Sequence, residues 1–220
     1  MKVDWTTFWQ TLLVATGETL AMVLVTLLFA SVLGIGLGLL LFLSRAGGLF
    51  ENRVLFVLLN LLINIVRPVP FIIFLVAVSP MTRMVVGTTI GIAAAIFPMI
   101  LVAACAIARV VENNLMSVDP SMIEAARALG ATPLQIITGV LIREALGPLI
   151  MGLTFITVAL VDFSAVAGMV GGGGLGNLAM TYGYNRFNTS VMVVTVVILI
   201  VLVQLAQHAG NYFSRRIMRR

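Results

Sequence analysis

Apolar residues dominate this chain in long runs, and its polar residues gather in a few short gaps between them. A run of 18 or more apolar residues reads as a membrane-spanning helix, because about 20 residues at a 1.5 Å rise cross a hydrocarbon core of ~30 Å. A β-barrel shows shorter segments of alternating polarity instead. Five spans can be drawn, over about residues 20–43, 54–78, 88–111, 146–166 and 190–209. Arg67-Pro68-Val69-Pro70 interrupts the second, and a short link at 79–87 leads to the third. The pattern predicts an all-α membrane protein with five transmembrane helices. With 220 residues there is little chain left for a soluble domain, so a single membrane domain over 1–220 is expected, its core at about 13–209.

Composition agrees: 61% of residues are hydrophobic and 10% charged, with a mean hydropathy of +1.16, far outside the soluble range. The first apolar run has no small-residue cleavage pattern ahead of it and reads as an uncleaved span. A pI near 10.4 does not point to nucleic acid, because the basic residues sit at the ends of apolar runs rather than along a stripe. Arg45, Arg53, Arg109, Arg127, Arg143, Arg215, Arg216, Arg219 and Arg220 fall on one side of a five-span chain, against Lys2, Arg83 and Arg186 on the other. By the positive-inside rule the N-terminus is expected outside and the C-terminus in the cytoplasm.

The most polar loop, at about 112–144, contains one short helix-forming island. Asp119-Pro120 supplies an N-cap and a first-turn proline. Met122, Ile123, Ala126 and Leu129 then recur at helical spacing, and Gly130 suits a left-handed position past the helix end. Thr132 and Gln135 are spaced as a capping box for a second helix. Such an island either rests on lipid or docks in a cleft of a soluble partner. An interfacial helix usually carries several Lys or Arg, whereas this one has only Arg127 and a smooth surface of Ala125, Ala126 and Ala128. On pattern alone both readings stay open.

Glu124-Ala125-Ala126, followed after three residues by Gly130, resembles the coupling loop of permeases from bacterial ATP-binding-cassette importers of the type I fold. The tail departs from that family's Ile-x-Leu-Pro pattern: Val140-Leu141-Ile142-Arg143 stands in its place, with Pro148 as a nearby break. Segments 16–22, 64–71, 108–113, 128–133 and 170–176 are similar to the methionine-importer branch, so the resemblance covers nearly the whole chain. It implies a homodimeric five-span inner-membrane permease with a path for methionine. It also implies two ATPase subunits, using ATP and magnesium, docked on Glu124, Ala125, Ala126 and Gly130, and an external lipoprotein delivering the cargo. The chain has no Gly-x-x-x-x-Gly-Lys-Ser/Thr motif, so no ATP hydrolysis of its own is expected, nor any cofactor. Another small amino acid or peptide as cargo, an ATPase-independent channel or carrier, and a structural scaffold are the alternatives.

Other polar or flexible positions carry expectations of their own. Arg67, Pro68 and Pro70 read as a kink whose guanidinium pairs with freed carbonyls. Asp162 lines a pathway or pairs with Arg67, and Phe163, Val166 and Met169 beside it are gate candidates, or simply pack against the last span. Gly171, Gly172, Gly173, Gly174 and Gly176 lack the strand and the Lys of a phosphate loop, and read as an outer glycine turn allowing close approach of two subunits. Gly34, Gly36, Gly38, Gly87 and Gly91 read as helix-packing positions. Glu18 reads as an interfacial helix-start residue and His208 as an interfacial residue at a span end. Without a His/Cys/Asp/Glu cluster or a nucleophile–base pair, no metal or catalytic site is expected.

Overall fold

The computed structural model describes residues 5–218; Lys2, Arg219 and Arg220 of the charge count lie outside them. Ten α-helices and three π-helical turns follow one another among the described residues. Four helices are long and apolar enough to span a membrane, and a fifth span results if one sharply bent pair is counted together.

α1 (Trp5–Ser44) begins well before the expected first span. Hydropathy misses its opening turns because Thr, Gln, Gly and Glu dilute them. Those turns nevertheless have a partner surface: Phe8, Leu12 and Ala15 are buried together with Leu175, Leu178 and Val191. Glu18 therefore lies inside the helix rather than at its start. α1 packs along α5 (Ile92–Met116), whose buried residues run from Ala94 to Leu115 and form the centre of the bundle.

Gly34 and Gly38 make that contact possible. A Cβ at Gly34 would lie 2.6 Å from Ile107 Cβ, and one at Gly38 would lie 2.6 Å from both the Ala108 carbonyl oxygen and Val111 Cβ. Gly36, between them, faces open space. Gly38→Leu should therefore prise α1 from α5, lowering stability in detergent by about 1–3 kcal/mol, while Gly36→Leu should leave it close to wild type. A thermal-unfolding comparison of the two variants checks this.

The second span is broken, not merely kinked. α2 (Arg53–Val66) and α3 (Phe71–Ala77) meet at 108° across the Arg67–Pro70 elbow. Proline removes an amide donor and clashes with the preceding turn, and two prolines in three residues leave no helical path. The expected link at 79–87 is itself a helix, α4 (Ser79–Val86), closed by Gly87 at φ +85°. Gly91 has φ +96°, and a Cβ at Gly87 or Gly91 would meet nothing within 4 Å. These two glycines turn the chain; they do not pack helices.

The polar loop is shorter than expected because both flanking helices run into it. α5 continues to Met116; α6 (Pro120–Ala128) follows, and then α7 (Pro133–Ile136) opens an almost continuous rod. That rod passes through a π-helical turn (Ile137–Leu141) into α8 (Ile142–Ala167). Pro148 lies inside α8 without ending it, so the irregularity sits before Arg143 rather than after it. A second π-helical turn (Gly168–Gly172), α9 (Gly174–Leu178) and a third (Ala179–Tyr184) lead to α10 (Thr189–Met218). Arg215 and Arg216 occupy the last turn of α10, where cations suit the negative end of the helix.

Candidate functional site

α6 is built by its caps. The Asp119 carboxylate accepts a 2.8 Å hydrogen bond from Ser121 N, and Pro120 fills the first turn. Hydrogen bonds from Ser121, backbone first and side chain second, hold the exposed Asp119 carboxyl below its usual range. At the other end Gly130 takes φ +80°, and Ala131 N donates to Ala126 O at 3.0 Å. A left-handed residue with this return bond closes the helix and satisfies its last carbonyls. The Thr132–Gln135 capping box then starts α7 within two residues. α6 is thus a rigid stub between two clamps.

Its sides are unequal. Ile123 and Ala126 are half-buried against the main core, and Ile123 and Arg127 border a cleft of about 200 Å³ shared with the α1–α2 loop. Glu124, Ala125 and Gly130 face outward, and Leu129 is 88% exposed. The expected apolar face is therefore split: Ile123 and Ala126 seat α6 on its own chain, and Met122 and Leu129 are left exposed.

At the opposite end of the long helices lies the glycine turn. Gly171, Gly173 and Gly174 have φ of +94°, +85° and +72°, a region favourable to glycine alone. Gly172, Gly174 and Gly176 are buried, and their close approaches are to Ala167, Thr19 and Ala165 of the same chain. Within one chain, Gly173 and Gly174 lie against α1, while Gly172 and Gly176 lie against the end of α8. Leu175 is likewise fully buried.

Residues 30–219 match the family model of the binding-protein-dependent transport system inner membrane component. The chain belongs to this family. It is 46% identical over 206 residues to the "Probable D-methionine transport system permease protein MetI" of Vibrio cholerae serotype O1, covering 94% of this chain and 92% of that protein. The Pasteurella multocida protein of the same description is 44% identical over 208 residues, covering 94% and 96%. Among solved structures, an inward-facing form of the MetNI methionine ABC transporter (CY5 native crystal form) matches with a TM-score of 0.94 at 43% identity, over 98% of this chain and 99% of that one. An amino acid ABC transporter crystallised with histidines matches at 18% identity with a TM-score of 0.82, over 98% and 100%, which shows a shared fold alone. The all-α permease fold expected from the sequence is borne out, and the chain is an inner-membrane component.

In this binding-protein-dependent permease the other candidate residues separate. Arg67 is exposed at the elbow. Among the described residues its guanidinium makes no ion pair with Asp162 and no hydrogen bond to a freed carbonyl. Asp162 is exposed too, bordering a mostly apolar groove of about 350 Å³ between α8 and α10 that also holds Gln204. Phe163 stacks on Phe71 of α3, with ring centroids 4.5 Å apart and planes 18° off parallel. Val166 is half-buried against the main core, whereas Met169 is 55% exposed. Phe163 thus packs on α3, and Val166 joins the main core, to which Leu199 and Val203 of α10 also belong.

A polar network in the bundle was not foreseen from the sequence. Arg109 on α5 pairs with Glu112 through one guanidinium nitrogen. The other donates to Asn60 Oδ1 at 2.7 Å and Asn64 Oδ1 at 2.8 Å on α2. Glu112 is only 4% exposed. One signal for it does exist: Asn60 and Asn64 on α2, and Arg109 and Glu112 on α5, follow helical spacing within apolar runs. His208 lies inside α10 rather than at its end, its Nδ1 2.7 Å from the Gln204 carbonyl oxygen.

Proposed function

We propose that this chain is the permease subunit of an ATP-driven importer and forms the path for methionine by alternating access. The observation that carries this reading is α6: a short helix fixed by caps at both ends, seated on its own chain through Ile123 and Ala126, with Glu124, Ala125, Leu129 and Gly130 turned outward. A rigid stub of this kind transmits a push where a slack loop would absorb it. Two ATPase subunits, holding ATP and magnesium themselves, dock on the α6 helices of two copies of this chain. Their closure tilts the helix bundles between inward- and outward-facing arrangements.

The whole chain, 1–220, acts as one membrane domain in lipid, with its N-terminus outside and α6 in the cytoplasm, as the Arg distribution supports. It catalyses nothing. An external substrate-binding lipoprotein selects and delivers the cargo, and similarity to methionine permeases over more than nine-tenths of the chain supports methionine. Asp162 and Met169, being exposed, are the pathway candidates, while Phe163 and Val166 brace them from within.

Reconstitution into proteoliposomes with the cognate ATPase and binding protein tests the reading. ATP-dependent accumulation of labelled methionine is expected. Failure of the ATPase to co-purify, or uptake without ATP, would favour a stand-alone channel or carrier. Accumulation of a different amino acid or peptide would retain the machine and correct the cargo.

A further inference from the structure

α1 and the glycine turn are joined by two hydrogen bonds that span 156 residues of sequence. Glu18 Oε2 accepts from Gly174 N at 2.6 Å, and Thr19 Oγ1 accepts from Leu175 N at 2.9 Å. The fit around them is tight. A Cβ at Gly173 would come within 2.9 Å of Glu18 Oε2, and one at Gly174 within 2.7 Å of Thr19 Oγ1. Thr19 is 1% exposed. On its other side the turn is held by Gly91 N, which donates to Gly171 O at 2.9 Å at the start of α5. The turn is thus tied to two spans.

A half-buried carboxylate within an apolar helix is costly unless the charge is hydrogen-bonded, so Glu18 is poorly explained as a solvated surface group. Bonds within a helix travel with it when it moves. A bond from a side chain on one element to the backbone of another must break if the two separate. The glycine turn is also a pliable point of the backbone: three left-handed glycines lie at the end of α8, with π-helical turns on either side of α9.

We infer that Glu18, seconded by Thr19, is a positioning residue that latches the outer glycine turn onto α1 in the inward-facing state and releases it when the permease opens outward. The inference rests on the function proposed above, and on the overall match of this chain, at a TM-score of 0.94, to a chain of an inward-facing transporter. A hydrogen bond to a charged group shifts an equilibrium by roughly tenfold to a hundredfold. Removing a bond present in only one state therefore moves the population toward the other. Because ATPase closure accompanies outward opening, the weakened latch makes closure easier without cargo.

The test uses the assembled permease–ATPase complex in proteoliposomes. E18A is expected to raise ATP hydrolysis in the absence of binding protein about tenfold and to increase the ATP consumed per methionine imported. E18Q keeps an oxygen to accept from Gly174 N and should recover most of the coupling. T19V, similar in shape to threonine, should give a smaller rise. Spin labels at Gly17 and Asn177, both outside the buried core, should report a longer distance in E18A than in wild type. A purely structural role would instead lower melting temperature and yield, with hydrolysis and distance unchanged.

Normal assembly of E18A with wild-type hydrolysis and distance would overturn the latch. If E18A does not assemble, wild-type ATP hydrolysis and distance in T19V would do so. Wild-type complexes that fail to import with ATP would overturn the proposed function instead, so the two failures are distinguishable.

Discussion

Arg109→Ala should destabilise the protein by about 3–5 kcal/mol, the usual range for stripping one partner from a buried ion pair. Glu112 would be left 4% exposed and uncompensated, and the Asn60 and Asn64 oxygens would lose the donor that ties α2 to α5. The pair's own worth is a separate matter. Desolvating two charges offsets most of their attraction, so replacing both by apolar residues of similar volume is often near neutral. Arg109→Met combined with Glu112→Leu should therefore recover much of the loss. Reversible unfolding in mixed micelles, run as a double-mutant cycle, measures both effects. An Arg109→Ala protein within about 1 kcal/mol of wild type would deny the network its structural role.

Leu129→Asp should abolish coupled uptake while leaving the fold intact. Leu129 is 88% exposed, so the fold gains little from it. A large apolar side chain exposed at the end of a capped helix is instead suited to anchor a partner. Loss of a central anchor at an interface costs about 2–4 kcal/mol, which corresponds to roughly a 30- to 1000-fold weakening of ATPase association. Ala126 is a poorer probe, because it is half-buried against the chain's own core and a bulky replacement would unseat α6 itself. Unchanged melting temperature with lost association is the expected signature. Normal association and uptake by Leu129→Asp would show that the docking surface lies elsewhere.

Part of the candidate site was legible in the amino-acid sequence. Asp119-Pro120, Gly130 and Thr132–Gln135 could be read as caps because each acts on backbone groups within a few residues of itself, and all three are found in those roles. Which face of α6 points outward could not be read. The spacing of Met122, Ile123, Ala126 and Leu129 defines a stripe, but only the position of the α1–α2 loop decides that Ile123 is covered and Leu129 is not. Span boundaries suffered for a related reason. Hydropathy records where a helix is apolar, whereas α1 and the rod beginning at Pro133 continue as helix through polar turns that have caps or packing partners.

By itself the amino-acid sequence determined that this is a helical membrane protein, that its second span is interrupted at Arg67–Pro70, and that a capped helix stands in its most polar loop. These follow from hydropathy summed over a bilayer's thickness and from hydrogen bonds closed locally. Only the tertiary structure decided that Arg109 meets Asn60 and Asn64, that Arg67 and Asp162 stay apart, and that Gly173 and Gly174 lie against α1. The hydrogen bonds among those contacts cross 45 residues or more, up to 156 for Glu18 and Gly174. They depend on how each helix is rotated and slid against its neighbours, which is set by the packing of many side chains together.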